Sequence, residues 1–200
     1  MYKVKSVLIL SLLAISQIAF AASSDKFFNP QKSPDDVVIS MPCDMSMVFK
    51  KVYTSKNKLK LEDKNFKAGL NDTDNPLSQA ENTRYIQGSF HDKDGYYYLM
   101  AKYEMTTNQY KALTESKCPK ANMKGALPIT NISWFDALLA SKNYSLYLQK
   151  AKDTPTLNGQ KAFARLPTDS EFEFALRGGL NVSSSEFEAN LFPMEGSLRD

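Results

Sequence analysis

Histidine and cysteine are scarce in this chain. Among 200 residues there is one histidine, His91, and there are two cysteines, Cys43 and Cys118. One histidine excludes a metal site with three histidine ligands, and neither cysteine belongs to a Cys-x-x-Cys motif. The composition therefore argues against the common zinc sites and against a dithiol redox centre.

An excess of charge of one sign is also absent. The chain has 25 Lys and Arg residues against 22 Asp and Glu residues, and 42% of its residues are hydrophobic. This composition is typical of about one globular domain. A nearly neutral chain lacks the basic surface that nucleic-acid binding needs, so we expect no nucleic-acid partner.

The one long hydrophobic run lies at the N-terminus. Lys3 and Lys5 precede an apolar stretch over 7–20, and Ala19-Phe-Ala21 is a small-x-small cleavage site, the pattern of a secretory signal peptide. The run is shorter than the ~20 residues of a transmembrane helix, which makes an uncleaved anchor the weaker alternative. We predict that 1–21 is a signal peptide, that the protein is exported to the periplasm, and that no stable membrane span remains.

Export bears on the two cysteines. An even number of cysteines in an oxidising compartment favours a disulfide, so we predict a Cys43–Cys118 bridge. A pair of reactive or metal-binding thiols is the alternative. The bridge would tie a polar, proline-containing segment, 22–45, which we interpret as an extended N-terminal arm, to the middle of the domain.

Beyond the arm, the patterns predict a mixture of short strands and helices. Strands are expected over 47–53, 58–61 and 96–103, and His91-Asp-Lys-Asp-Gly95 is typical of a turn. The approach 127–132 is expected to be a short apolar strand, and 152–161 a surface loop. The fold class is therefore α+β.

Three helix starts carry capping signatures. Thr106 is followed three residues later by Gln109, Ser133 by Asp136, and Thr168 by Glu171, so a side chain at each end of the pair can satisfy a backbone N–H of the first turn. The first helix is expected from Thr107 to about residue 116. The second should end near residue 150 with Ala137, Ala140, Tyr144 and Leu148 on one face, and the third should place Phe172, Ala175 and Leu176 together and stop at Gly178 and Gly179.

Three stretches, in order, resemble one family. They are Tyr98-Leu-Met-Ala-Lys-Tyr-Glu-Met-Thr-Thr-Asn-Gln-Tyr110, Leu127-Pro-Ile-Thr-Asn-Ile-Ser-Trp-Phe-Asp-Ala137 and Arg165-Leu-Pro-Thr-Asp-Ser-Glu-Phe-Glu-Phe-Ala-Leu-Arg-Gly-Gly179. We refer to them as block 1, block 2 and block 3. They are similar to blocks of the formylglycine-generating enzyme, or sulfatase-modifying factor, superfamily.

The resemblance implies a fold related to the C-type lectin topology, with little regular secondary structure, whose N-terminal part would occupy 46–200. It assigns no catalytic, cofactor-binding or metal-binding residue, because the family's C-terminal blocks and its copper-binding cysteine pair have no counterpart in these 200 residues. We therefore expect no cofactor here, and copper or calcium only with a further C-terminal half. The residues it marks as structural motif are Tyr103, Glu104, Thr106, Ser133, Trp134, Asp136, Arg165, Pro167, Thr168, Glu171 and Arg177.

Several motif residues invite both a structural and a chemical interpretation. We interpret Trp134, Phe172 and Phe174 as core aromatics, with stacking on a substrate as the alternative. Within block 3 we expect a buried link between Arg165 and Glu171 and a surface pair of Glu173 with Arg177, with acid or base catalysis by either glutamate as the alternative.

Two function classes compete. The first is a non-catalytic binding or accessory module, since family members without the catalytic cysteines accompany envelope machines such as type VI secretion systems; its partner would be another protein chain or an envelope complex. The second is a copper-dependent oxidase that converts a peptidyl cysteine to formylglycine and has its catalytic half outside this sequence. A lectin-like ligand receptor is a third, less supported class. A domain that consists of the N-terminal half alone would also leave a large apolar face exposed.

Overall fold

A computed structural model describes residues 26–55, 64–67 and 83–183. These residues divide into two compact units. Unit 1 contains 26–48, 101–155 and 161–164, and unit 2 contains 49–55, 64–67, 83–100, 156–160 and 165–183. The predicted signal peptide and the predicted strand over 58–61 lie outside the described residues.

Over the described residues, eight strands form three small sheets. They are β1 Val37–Met41, β2 Met45–Ser55, β3 Lys64–Lys67, β4 Thr83–Ile86, β5 Phe90–Asp92, β6 Gly95–Ala101, β7 Thr156–Leu157 and β8 Gln160–Lys161. The largest sheet has the order β1-β2-β6-β5, β3 pairs with β4, and β7 pairs with β8. The predicted strands over 47–53 and 96–103 are thus confirmed.

Tight turns connect the neighbouring strands. Cys43 and Asp44 adopt positive φ angles of 65° and 54° between β1 and β2. Between β5 and β6, the backbone N–H of Asp94 donates to Asp92 Oδ1 at 2.9 Å, which closes the predicted turn. The expected loop over 152–161 instead contains the β7–β8 hairpin, because Asn158 and Gly159 supply the two positive φ angles that a two-residue hairpin turn requires.

Three helices follow the three capping signatures. They are α1 Thr107–Thr114, α2 Trp134–Leu148 and α3 Asp169–Leu176. Each begins with a complete capping box. The hydroxyl of the cap residue accepts the backbone N–H of the residue three positions later, and the side chain of that residue accepts the backbone N–H of the cap residue. The predicted helix starts are confirmed, and the ends agree to within about two residues.

In unit 1, α2 packs against α1 and β1. Its inward face buries Ala140, Tyr144 and Leu148, as the spacing predicted, whereas Ala137, which was expected on the same face, is only partly buried. Asn143 Nδ2 donates to the carbonyl oxygen of Leu113 in the last turn of α1 at 2.9 Å. This bond satisfies one of the carbonyls that a helix end leaves without an intrahelical partner.

The core of unit 2 collects Phe66, Ile86, Tyr98 and Phe174. The rings of Phe66 and Phe174 lie 5.4 Å apart, and the Tyr98 hydroxyl donates to the carbonyl oxygen of Glu171 at 2.6 Å. Phe174 is therefore a core aromatic, as predicted.

The predicted apolar face of α3 is wrong. Phe172 is 55% exposed and Leu176 is 52% exposed, whereas Phe174 is fully buried. The sequence offers apolar residues on two sides of this short helix, and contact with β3, β4 and β6 in unit 2 selects the side that carries Phe174. The expected strand over 127–132 is also wrong, because it reduces to one bridge between Thr106 and Pro128, and Asn131 has a left-handed φ of 58°.

The two cysteines form the predicted disulfide. Cys43 lies in the β1–β2 turn and Cys118 lies after α1, with their Cα atoms 5.4 Å apart. The bridge connects residues 75 positions apart within unit 1. Within the described ranges, no helix combines the length and the hydrophobicity needed to cross a membrane.

Removing the disulfide should destabilise unit 1. The double variant Cys43→Ser/Cys118→Ser is expected to lose about 4 kcal/mol of unfolding free energy, because the unfolded chain regains the conformational freedom of the long loop. Urea titration followed by far-UV circular dichroism measures the change. Treating the wild-type protein with a reductant should reproduce the effect, and an unchanged urea midpoint in the double variant would contradict it.

A pair of phenylalanines on α3 tests the assignment of its buried side. Phe174→Ala should cost about 3–5 kcal/mol of unfolding free energy, since it leaves a cavity between Phe66 and Tyr98. Phe172→Ala, the matched control two residues away, should change the unfolding free energy by less than about 1 kcal/mol. Equal effects of the two substitutions on the thermal midpoint would show that the buried side is misassigned.

Candidate functional site

From Ala101 onward, block 1 lies beside block 2 in unit 1. The backbone N–H of Thr107 donates to the carbonyl of Leu127, and the N–H of Ile129 donates to the carbonyl of Met105, both at 2.9 Å. These two bonds flank the bridge between Thr106 and Pro128. Two of the three motif blocks therefore form one connected surface.

Gln109 connects this surface to the sheet. Its Oε1 accepts the backbone N–H of Thr106 at 2.8 Å, and its Nε2 donates to the carbonyl of Ser46 in β2 at 2.7 Å. Both Gln109 and Thr106 are buried. The capping signature predicts the first bond, whereas the second one depends on tertiary structure and left no pattern in the sequence.

An apolar cleft of about 340 Å³ opens between the blocks and the N-terminal arm. Its walls are mainly hydrophobic, with Thr106 and Gln109 as buried polar groups and the exposed Lys26 and Glu104 as one positive and one negative group in the lining. Such a cleft can accept an apolar side chain or a small apolar ligand. The apolar lining comes from Phe27, Phe28, Pro30, Met47, Val48, Tyr103, Met123, Ala126, Leu127 and Pro128.

Lys102 fixes the arm that forms one wall of this cleft. Its ammonium group lies 3.0 Å from both carboxylate oxygens of Asp36 and also donates to the carbonyl of Gln31. The neighbouring Tyr103 hydroxyl lies 3.2 Å from Asn29 Oδ1. The Lys-Tyr-Glu part of block 1 thus anchors the arm and places Glu104 beside the cleft, a role that the sequence analysis missed.

Block 2 presents its aromatic residues to solvent. Asp136 Oδ2 accepts the backbone N–H of Ser133 at 2.9 Å and its hydroxyl at 2.7 Å, and these bonds lower the pKa of Asp136. Trp134, by contrast, is 62% exposed. The interpretation of Trp134 as a core aromatic is therefore wrong, because α2 turns the side with Ala140 and Tyr144 inward instead.

Block 3 lies in unit 2 and is organised around Glu171. Arg165 binds its carboxylate with both terminal nitrogens, at 2.7 and 2.8 Å, and the backbone N–H of Thr168 donates to it at 2.9 Å. Partial burial would raise the pKa of Glu171, but these hydrogen bonds outweigh it and hold the pKa below its ordinary value. The predicted link to Arg165 is present, with Arg165 half exposed rather than buried. Pro167 directly precedes the cap residue.

The second charged pair of block 3 is less exposed than the sequence suggested. Arg177 contacts the carboxylate of Glu173, one turn earlier on α3. Arg177 is only 4% exposed, so the prediction of a surface pair is wrong. A guanidinium buried at the end of α3 is stabilised by its carboxylate partner and by the negative end of the helix dipole.

A separate charged cluster lies on the sheet of unit 2. Asp92 Oδ2 accepts Lys51 Nζ at 2.6 Å and the Tyr53 hydroxyl at 3.0 Å. Desolvation would raise the pKa of Asp92, but the bonds from Lys51, from the Asp94 backbone and from Tyr53 lower it to about 2. With its charges paired inside the cluster, this group is a structural tie between β2 and β5.

The cysteines do not fit the copper site that the family resemblance implies. Copper binding by a cysteine pair requires thiolates, whereas Cys43 and Cys118 are joined to each other. Over 26–55, 64–67 and 83–183, no group of three or more His, Cys, Asp or Glu side chains is arranged to hold a metal ion.

Comparison with known families identifies the domain. Residues 65–200 match the family model described as a sulfatase-modifying factor enzyme 1-like domain. The match covers all three blocks and more than half of the chain. Searches of curated proteins and of solved structures find no significant match.

The ion pair in block 3 predicts a dependence of stability on pH. Because the pKa of Glu171 is lower in the native state than in the unfolded chain, its stabilisation is present at neutral pH and is lost as the pH falls below about 4. Glu171→Gln should cost about 1 kcal/mol of unfolding free energy at pH 7 and flatten this acid-side loss. Urea midpoints measured from pH 7 to pH 3 give both values.

Asp169→Asn is the matched control for this experiment. It removes one negative charge from the same first turn of α3 without touching the contact between Arg165 and Glu171. The control should keep the wild-type slope of stability against pH. A Glu171→Gln curve parallel to that of the wild type would contradict the assignment.

Proposed function

Because the chain belongs to the sulfatase-modifying factor enzyme 1-like family, we propose that it is an exported periplasmic protein whose domain binds a protein of an envelope assembly without catalysing a reaction. A type VI secretion system is the class of assembly that we would test first. The proposal includes a fold related to the C-type lectin topology.

The disulfide is the observation that carries this proposal. The oxidase chemistry of formylglycine-generating enzymes uses a pair of cysteine thiols, and both cysteines of this sequence are engaged in one bridge. That bridge ties the β1–β2 turn to the segment after α1, which is a structural task. Formylglycine formation would therefore need cysteines other than Cys43 and Cys118.

The chemistry of the motif blocks supports the same proposal. Their charged residues, Asp136, Glu171 and Arg177, are engaged in caps and ion pairs that stabilise helices. Some of their apolar residues line a cleft or remain exposed, as Leu127 and Trp134 do. Charged groups that stabilise the fold, together with apolar surfaces that can bind apolar partners, are typical of a binding module.

Two measurements on the full-length chain test the proposal. The purified protein, incubated with copper, oxygen and a cysteine-containing sulfatase peptide, should leave the mass of the peptide unchanged. Cell fractionation should place the protein in the periplasm with Ala22 as its first residue, and chemical crosslinking there should join it to a discrete envelope protein. Cytoplasmic location, or conversion of the peptidyl cysteine to formylglycine, would contradict the proposal.

A further inference from the structure

The side of α2 that faces away from the core of unit 1 is apolar. Trp134 is 62% exposed, Phe135 is 74% exposed and Leu146 is 57% exposed. We call this set the α2 stripe: Trp134, Phe135, Leu138, Leu139 and Leu146.

Helical geometry places these five residues together. At about 100° per residue they fall within an arc of roughly 140°, on the side opposite Ala140, Tyr144 and Leu148. From the exposed fractions, we estimate an apolar area of roughly 600 Å², which is at the upper end for a surface patch of a monomer and close to the ~800 Å² that one partner contributes to a stable interface. The stripe therefore has the size of a docking surface for one helix.

Two lysines give the stripe a positive charge. Lys142 lies one turn from Leu138 and one turn from Leu146, and Lys150 follows Leu146 by four residues; both lysines are exposed. The acid of α2, Asp136, already accepts two hydrogen bonds from Ser133. A partner that covers Lys142 must supply a carboxylate, because an ammonium group that is buried without one is costly.

This charge pattern separates the possible occupants. A second copy of the chain would bring its own Lys142 and Lys150 against the same surface, which repels. Recognition of anionic membranes by basic clusters usually uses about four to eight lysines and arginines, and the stripe has two. A protein helix with an apolar face and acidic residues satisfies both the area and the charge.

We propose that the α2 stripe docks an amphipathic helix of another protein, with leucine-like residues over Trp134, Leu138 and Leu139 and a glutamate or aspartate paired with Lys142. This inference rests on the proposed function and specifies where the partner binds and what its chemistry is. The stripe is ready for docking, because both ends of α2 are held: the capping box holds the N-terminal end, and Thr154 donates to the carbonyl of Leu148 at 2.7 Å.

Trp134 reports binding directly, since it is the one tryptophan of the chain. The probe is a synthetic tryptophan-free helix with leucines at helical spacing and flanking glutamates, and its control carries lysines in place of the glutamates. Titration of the full-length protein with the acidic peptide should shift the Trp134 emission to shorter wavelength and saturate. The basic peptide should bind at least tenfold more weakly.

Charge reversal tests the contact itself. Lys142→Glu should weaken binding of the acidic peptide by tenfold or more and improve binding of the basic peptide, a reciprocal change that a merely misfolded variant does not give. Leu139→Glu should abolish the emission shift. Leu157→Glu, which changes an exposed leucine of β7, is the matched control and should bind like the wild type.

Several outcomes would overturn the inference. The first two are the absence of an emission shift with the acidic peptide and equal binding of the two peptides. The third is a Trp134 emission that is already typical of a buried indole in the free protein, because the chain itself would then cover the stripe. A dimer in light scattering that Leu139→Glu dissociates would assign the stripe to a second copy. A shift with phosphatidylglycerol vesicles but not with the peptide would assign it to a membrane.

The inference and the proposed function can fail separately. If the Leu139→Glu protein is still crosslinked to the same envelope protein as the wild type, the binding function stands and the assignment of the α2 stripe is wrong. If the wild type is crosslinked and Leu139→Glu is not, while Leu157→Glu behaves like the wild type, both are supported.

Discussion

The capping of three short helices is the constraint on which the described structure depends. A short helix such as α1 or α3 leaves four N–H groups without intrahelical acceptors, those of its cap residue and of its first three residues. In each case a threonine or serine and a side chain three residues later satisfy two of these donors. Each of the three motif blocks therefore contains one capped helix start.

Bonds from side chains to the backbone extend this principle to the connecting segments. Gln109 reaches the carbonyl of Ser46, Asn143 reaches that of Leu113, and Lys161 donates to the carbonyls of Gln149 and Ala151 just after α2. Most of the strands are short, so these side-chain bonds and the disulfide hold connecting segments that a more extensive sheet would hold in other folds. The cleft in unit 1 exists because the arm is held this way.

Local features could be predicted from the sequence, and features that depend on tertiary contact could not. The capping boxes, the turn before Gly95 and the inward face of α2 follow from spacing over a few residues, and all were found. The side on which α3 is buried was missed, because Phe172 and Phe174 are equally hydrophobic and only contact with Phe66 selects between them. The cleft was missed for the same reason, since Phe28 and Leu127 are 99 positions apart along the chain.

The α2 helix joins structure to function through its two unlike faces. Ala140, which is 1% exposed, allows close approach of the α2 backbone to the rest of unit 1, and Tyr144 and Leu148 are buried one and two turns further along the same face. These contacts, rather than any contact of Trp134 or Phe135, determine how the helix is oriented. The outward side chains do not orient α2 within unit 1, and they form the apolar surface around Lys142 that the proposed partner would cover. An enzyme that uses the same fold needs reactive groups at fixed positions, whereas this surface needs only area, shape and one cation.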